Sequence, residues 1–258
     1  MRHSRILKDG VATDLVTATD STQNMKANQW LPATIGTVFG IALNDKALYA
    51  KLEPSFHEKP HVNPPTRPVL HIKTANTHIG YGAPIPTPAD GTAIYAGPSI
   101  GVVIGKQATR VSTEQAFEYI SGYTVVNEVS LAENSFYRPA VKAKCRDGFC
   151  PIGPWIVDAD DVTDVAALAI KTFINGELTH TTSTDRLRTG IAELVSYLSS
   201  FMTLEAGDLI IAGTPERTEQ LALKAGDTVA IEIEAIGRLE NPVMVETGSE
   251  SNSKTELA

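Results

Sequence analysis

Apolar stretches in this chain are short, rich in β-branched residues and closed by glycine or proline. IGTVFGIAL (35–43), VLHIK (69–73), IGVVIGK (100–106), YTVVNEVSL (123–131) and GDLIIAGTP (207–215) all fit strands and leave little room for helices. ALAIKTFINGEL (167–178) alternates and then turns at Asn175-Gly176, a pair that suits a two-residue hairpin turn. GDTVAIEIEAIGRLENPV (226–243) alternates again, as a strand or hairpin. Five prolines between 50 and 68 mark a long loop or lid, and PIPTP (84–88) reads as a turn-rich connector.

Two windows keep a helical period. Ser112, with Gln115 three residues on, opens like a capping box for a helix carrying Ala116, Phe117 and Ile120 and stopped by Gly122. From Thr184 to Phe201, residues Leu187, Ile191, Leu194, Val195 and Leu198 share one helical face. The expected fold class is therefore α+β and β-rich, with few helices and one core from about 31 to 246. Residues 1–30 are polar and weakly patterned and read as an N-terminal extension. The polar tail, 247–258, reads as disordered.

Charge and hydropathy narrow the partners. With 22 basic and 30 acidic residues the net charge is −8, which argues against nucleic acid or an anionic membrane as the main partner. No apolar run approaches the roughly 20 residues that span a bilayer. MRHSRILKDG has no apolar stretch behind its basic residues, so it is not a secretory signal, and the expected compartment is the cytoplasm.

The residues with most chemistry lie in KCRDGFCPIGP (144–154), whose mixture of Gly, Pro and charge reads as a loop. Its cysteines, Cys145 and Cys150, are spaced C-x4-C, which suits neither a zinc site nor a thioredoxin-like pair, and read as free thiols. Arg138, Lys144 and Arg146 offer cationic donors to substrate carboxylates; the alternative is a solvated basic edge paired with Asp147 or Glu133. Asn127-Glu128, this loop and Gly213-Thr214-Pro215 could converge at strand ends, where the backbone at Thr214 could hold an anionic oxygen. The six histidines show no metal-ligand spacing. His57-Glu58 in the proline-rich loop is a candidate acid/base pair, or simply two exposed residues.

FGIALN (39–44), PVLHIKTANTHIG (68–80), VVIGKQA (102–108), YISGYTVVNEVS (119–130), KAKCRDGFCPIGP (142–154), INGEL (174–178) and LSSFMTLEAGDLIIAGTP (198–215) together resemble the fumarylacetoacetate hydrolase family, over about 35–246 in unbroken order. YRPAVKAKCRDGFCPIGP is similar to one branch, the N-terminal half or first subunit of decarboxylase/isomerases of 4-hydroxyphenylacetate degradation. The resemblance implies a mixed β-sandwich or roll and a homo-oligomer or a complex with a paralogous subunit. It also implies a small anionic 2-oxo acid substrate, with Lys144 at the family's lysine position and Arg138, Arg146 and Thr214 gripping substrate. Such chemistry covers decarboxylation of 5-oxopent-3-ene-1,2,5-tricarboxylate and isomerisation of 2-hydroxyhepta-2,4-diene-1,7-dioate. The family implies Mg²⁺ on three carboxylates, two from an E-x-E and one from an N-D pair. Here the E-x-E positions read Gly97-Pro98-Ser99, and Glu128 in Asn127-Glu128 is the retained acid. The histidine of the family's lid motif falls near Leu48. The ligands are mostly missing, so weak Mg²⁺ dependence or no cofactor at all is expected. The second reading is a non-catalytic member paired with a metal-bearing paralogue.

Overall fold

The computed structural model of the chain describes residues 1–18, 29–132 and 138–246. Strands dominate it, as β-branched runs too short for helices require. In chain order they are β1 (Arg2–Lys8), β2 (Val11–Thr17), β3 (Gln29–Trp30), β4 (Val38–Ala42), β5 (Val69–Lys73), β6 (His78–Ile79), β7 (Ile85–Thr87), β8 (Ile94–Tyr95) and β9 (Pro98–Ile104). There follow β10 (Ile120–Asn127), β11 (Ser130–Leu131), β12 (Cys150–Asp158), β13 (Ala169–Ile174), β14 (Glu177–Ser183), β15 (Leu209–Ile211), β16 (Ala222–Leu223), β17 (Thr228–Ile233) and β18 (Gly237–Val245). The helices are α1 (Lys46–Leu52), α2 (Val141–Lys144) and α3 (Ile191–Ser199). None is long and apolar enough to cross a membrane.

The largest sheet runs β2-β1-β12-β10-β9-β15-β4-β5, with β3 added on β1 and β6 on β12. A five-stranded sheet, β14-β13-β17-β18-β7, packs on it through Ile170, Ile231, Ile233 and Leu239. A three-stranded sheet, β11-β8-β16, shares a second core with the five-stranded one around Ile94, Phe149, Leu223 and Val243. The β-rich mixed architecture expected from the sequence is the one found. β9 is buried along its whole length because both of its faces are covered. Ile100, Val102 and Ile104 meet Tyr123, Val125 and Trp155 on one side, while Val103 meets Val126, Ile152 and Leu209 on the other. That is why its sequence shows no polar alternation. Burying each such side chain stabilises the fold by about 1.5–3 kcal/mol.

Several local expectations change. The described part of 1–30 is no appendage: β1 pairs with β12 at Arg2↔Val157, His3↔Ile156 and Ser4↔Trp155, and Ile6 and Trp30 are in the main core. Residues 19–28 of that stretch, and the tail at 247–258, lie outside the described residues. The helix expected from Ser112 shrinks to a 3₁₀ turn, Ala116–Tyr119, because Ile120 already begins β10 opposite Ile104, and Gly122 lies inside that strand. The helix expected over 184–201 keeps its second half. Thr184–Arg186 is a 3₁₀ turn, and α3 starts where the Gly190 N–H donates to the Glu193 carboxylate at 3.0 Å. The lid region begins with α1, capped by Asp45 accepting from the Leu48 N–H at 2.8 Å. Ile85–Thr87 of the expected connector is a strand, β7, parallel to β18.

The 144–154 segment is only partly a loop. From Cys150 onward it is β12, a buried strand between β1 and β10. Pro154 fits there because the register against β10 shifts, from Val125 facing Gly153 to Tyr123 facing Val157. An irregular ladder makes no demand on a proline nitrogen. The hairpin at Asn175-Gly176 forms as expected, both residues having positive φ (55° and 83°).

Candidate active site

β9 and β10 run antiparallel with Pro98 opposite Asn127, so the start of one strand lies beside the end of the other. Gly97-Pro98-Ser99 therefore meets Asn127-Glu128. The Glu128 N–H donates to the Gly97 carbonyl at 2.8 Å, and the Gly97 N–H donates to Asn127 Oδ1 at 2.9 Å. Glu128 ends up 1% exposed.

Three elements bring positive groups to this carboxylate. α2 turns Lys144 inward, where its Nζ donates to Glu128 Oε1 at 2.8 Å, while Lys142 stays exposed. β5 carries His71 and Lys73, two residues apart and so on one strand face. His71 Nε2 lies 2.5 Å from the same Oε1. The Lys73 ammonium donates to the carbonyls of Val129, at 3.1 Å, and of Lys144. Arg217, after β15, donates to Ser130 Oγ and lies 3.9 Å from Glu128 Oε2.

Burial alone would raise the Glu128 carboxyl, but Lys144 and His71 outweigh it and hold the group well below the usual carboxylate range. Burial pushes the His71 imidazole down, with Glu128 opposing and the two lysine charges adding to the fall. Burial brings Lys73 down to about 8. Removing either partner of a buried ion pair such as Lys144–Glu128 costs about 3–5 kcal/mol.

A second arm reaches the same corner. The Gly213 N–H donates to Ser99 Oγ at 3.3 Å. Gly213 has φ of 141°, and a Cβ on it would lie 2.8 Å from Asn44 Cβ, so the Gly-Thr-Pro turn needs glycine there. Thr214 beyond it lines a narrow crevice with Pro98, Asp45, Arg186 and Leu187.

The candidates from the sequence separate in space. Lys144 is buried at the centre, not on a solvated edge, and Glu128 is its partner. Thr214 is buried nearby on the Ser99 arm. Arg146 turns aside to Glu246 at 3.0 Å, beside Pro86 and Asp147. Arg138 is exposed. His57 is exposed and pairs with Glu53 at 2.9 Å, and Glu58 is exposed as well, so this pair does not join the buried group. Both cysteines are free thiols. His71, Lys73 and Arg217 were not singled out from the sequence. The available signal was the spacing of His71 and Lys73, which puts two cationic residues on one face of a short strand among apolar ones.

The residues present do not fit a divalent ion. A Cβ on Gly97 would lie 2.2 Å from the Glu128 carbonyl oxygen, so backbone occupies the start of any side chain at that position. The Ser99 hydroxyl accepts from Gly213. Glu128 carries an ammonium and an imidazole on one oxygen. Among the described residues no three His, Cys, Asp or Glu side chains cluster as ligands.

Comparison with known proteins fixes the ancestry. Residues 37–244 match the family described as fumarylacetoacetate (FAA) hydrolase C-terminal. The chain belongs to the fumarylacetoacetate hydrolase family. It is 44% identical over 211 residues to the 4-hydroxyphenylacetate degradation bifunctional isomerase/decarboxylase of Escherichia coli, covering 82% of this chain and 48% of that protein. The chain thus spans about half the length of the curated relatives it matches. The crystal structure of 5-carboxymethyl-2-hydroxymuconate delta-isomerase from Mycobacterium smegmatis superposes with a TM-score of 0.79 at 29% identity, over 96% of this chain and all of that one. Fumarylpyruvate hydrolase from Pseudomonas aeruginosa, solved with Mn²⁺ and pyruvate, superposes with a TM-score of 0.71 at 26% identity, over 84% of this chain and 92% of that one. A divalent ion thus occurs in a relative of the same fold.

Proposed function

We propose that this chain is a half or subunit of a decarboxylase/isomerase acting on 2-oxo and 2-hydroxy-diene di- and tricarboxylates of aromatic catabolism. Its substrates on this reading are 5-oxopent-3-ene-1,2,5-tricarboxylate, which loses CO₂, and 2-hydroxyhepta-2,4-diene-1,7-dioate, which isomerises. The observation that carries the reading is Lys144, buried and aimed at the strand ends where β9 and β10 meet. Both reactions pass through an enolate. When CO₂ leaves, the bonding pair moves toward the ketone oxygen; when a proton shifts, the same oxygen takes the charge. A buried ammonium beside that oxygen stabilises it more strongly than water does. Arg138 and Thr214 are the candidates for the substrate's carboxylates, and Arg146 contributes less because Glu246 engages it.

Gly97 favours a second reading, a non-catalytic chain that pairs with a metal-bearing paralogue, since no carboxylate can rise from that position. One experiment separates the two. CO₂ release from the tricarboxylate is followed with the purified chain alone and with such a paralogue, for wild type, Lys144→Met and Lys142→Met, each checked by thermal melting. Losing a charge-assisted hydrogen bond costs about 1.5–3 kcal/mol, so Lys144→Met should slow turnover roughly 10- to 150-fold. Lys142→Met, at an exposed position, should leave it nearly unchanged. Turnover only in the presence of the paralogue, and indifferent to Lys144, assigns the chain the structural role.

A further inference from the structure

We propose that His71 carries the proton in this site, with Nε2 fixed by Glu128 and Nδ1 taking and returning the substrate's proton, in a reaction that uses no divalent ion. The inference rests on the decarboxylase/isomerase reading and names the base that reading lacks. The exposed pair His57 and Glu58 lies apart from this buried group.

Three observations point to His71. Its Nδ1 is buried and has no hydrogen-bond partner among the described residues. Leaving a buried polar atom unsatisfied is costly, so its retention points to a partner that arrives with the ligand. Next, the neighbouring strand makes room for this ring. Gly40 of β4 is the ladder partner of His71, and a Cβ there would lie 2.1 Å from Nε2. Any other residue at 40 would push the imidazole off Glu128. Finally, the pairing sets the tautomer. An ionised Glu128 can only accept, so the proton on the ring sits at Nε2 and the lone pair at Nδ1. Burial keeps the ring neutral near pH 7, as a base requires.

The chemistry balances without a co-reactant. Nδ1 takes the proton of the 2-hydroxyl group, and the O–H pair becomes the C2=O bond. The C2=C3 pair moves to C3=C4, and the C4=C5 pair takes the proton back from Nδ1 at C5. The dienolate between these transfers holds its charge on the oxygen at C2. Lys144, on the same Glu128 oxygen as His71, lies close enough to the ring for one substrate oxygen to meet its ammonium while the ring reaches the proton. Lys73 adds a second buried positive charge, held by two carbonyls.

The test uses the full chain and 2-oxoadipate as probe. The same base would take a C3 proton from this 2-oxo acid, so ¹H NMR in D₂O reports exchange at C3 while calorimetry reports binding. His71→Gln places an amide where Nε2 meets Glu128 and removes the Nδ1 acceptor; His71→Asn is the second variant should the first melt early. Wild type should exchange at the same rate in EDTA as in Mg²⁺. The variant should keep its affinity while exchange falls about 100-fold or more, the usual scale of general-base catalysis. Exchange in the variant at nearly the wild-type rate overturns the assignment to His71, and exchange abolished by EDTA overturns the metal-free part. Failure of wild type to bind 2-oxoadipate under either condition overturns the decarboxylase/isomerase reading itself and this inference with it. Intact binding with exchange indifferent to His71 overturns this inference alone.

Discussion

Gly97 decides what Glu128 can bind. Its N–H and carbonyl are tied to Asn127 and Glu128, and the space a side chain would enter is taken by the Glu128 carbonyl. Restoring an acid there should therefore fail as a repair. Gly97→Glu forces backbone apart, and overpacking of this kind costs about 1–3 kcal/mol or more. The expected outcome is a lower melting temperature with no gain in Mg²⁺ affinity, both wild type and variant binding no tighter than about millimolar by calorimetry. Micromolar Mg²⁺ binding by either would show that the donor set has been misjudged. The same residue scale shows what a sequence conceals. Lys144 was legible because its neighbours form a long, specific motif. His71 was not, since a histidine and a lysine alternating on a short strand look like a solvent face. What turns that face inward is Gly40 on the adjacent strand and Glu128 far along the chain, and neither is local to it.

At the scale of elements, strands with strong apolar runs were readable, and β1, with one buried apolar residue, was not. β1 buries Ser4 and Ile6 alone, and the Arg2, His3, Arg5 and Lys8 around them make it look like a polar extension. β12 holds two prolines and a glycine, which a regular ladder would reject, yet its bulge against β10 accommodates them. The Ser112–Gln115 pair has the spacing of a helix start, but β10 claims Ile120 first. Helix signals of this kind lose when the following residues have a better partner in the sheet. A direct check is available at Ile6. Ile6→Ala should lower stability by about 2–5 kcal/mol, the range for a buried isoleucine truncated to alanine. Chemical denaturation measures it; a shift of a few tenths of a kcal/mol would mean that β1 is a dispensable extension after all.

Across the whole molecule, the net charge of −8 gives no sign of where the charges lie, and Lys73 and Lys144 are both almost fully buried. The family and the β-rich architecture were legible because the order of motifs survives along the chain; the charge arrangement around Glu128 was not, because it depends on three-dimensional closure. That arrangement has a consequence for stability. Lys73 has its usual value of 10.5 in the unfolded chain and about 8 in the native one, the fall being due to burial. Below pH about 8 both states hold the proton, so the penalty for burying the charge is constant. Between about 8 and 10 the unfolded chain keeps a proton that the native chain releases, and stability therefore rises with pH. From about 9 the trend is opposed by the Cys150 thiol, which burial raises from 9.0 to about 12, and above about 10 also by Tyr123, which burial raises to about 12, since in each case the native state holds a proton that the unfolded one loses. Denaturation midpoints measured from pH 7 to 9, below the range where Cys150 counts, should rise for wild type and rise less for Lys73→Met, which keeps the apolar stem without the charge. Parallel curves for the two proteins would show that Lys73 enters the fold already neutral or remains solvated, and that the cation held by the Val129 and Lys144 carbonyls is not part of the site.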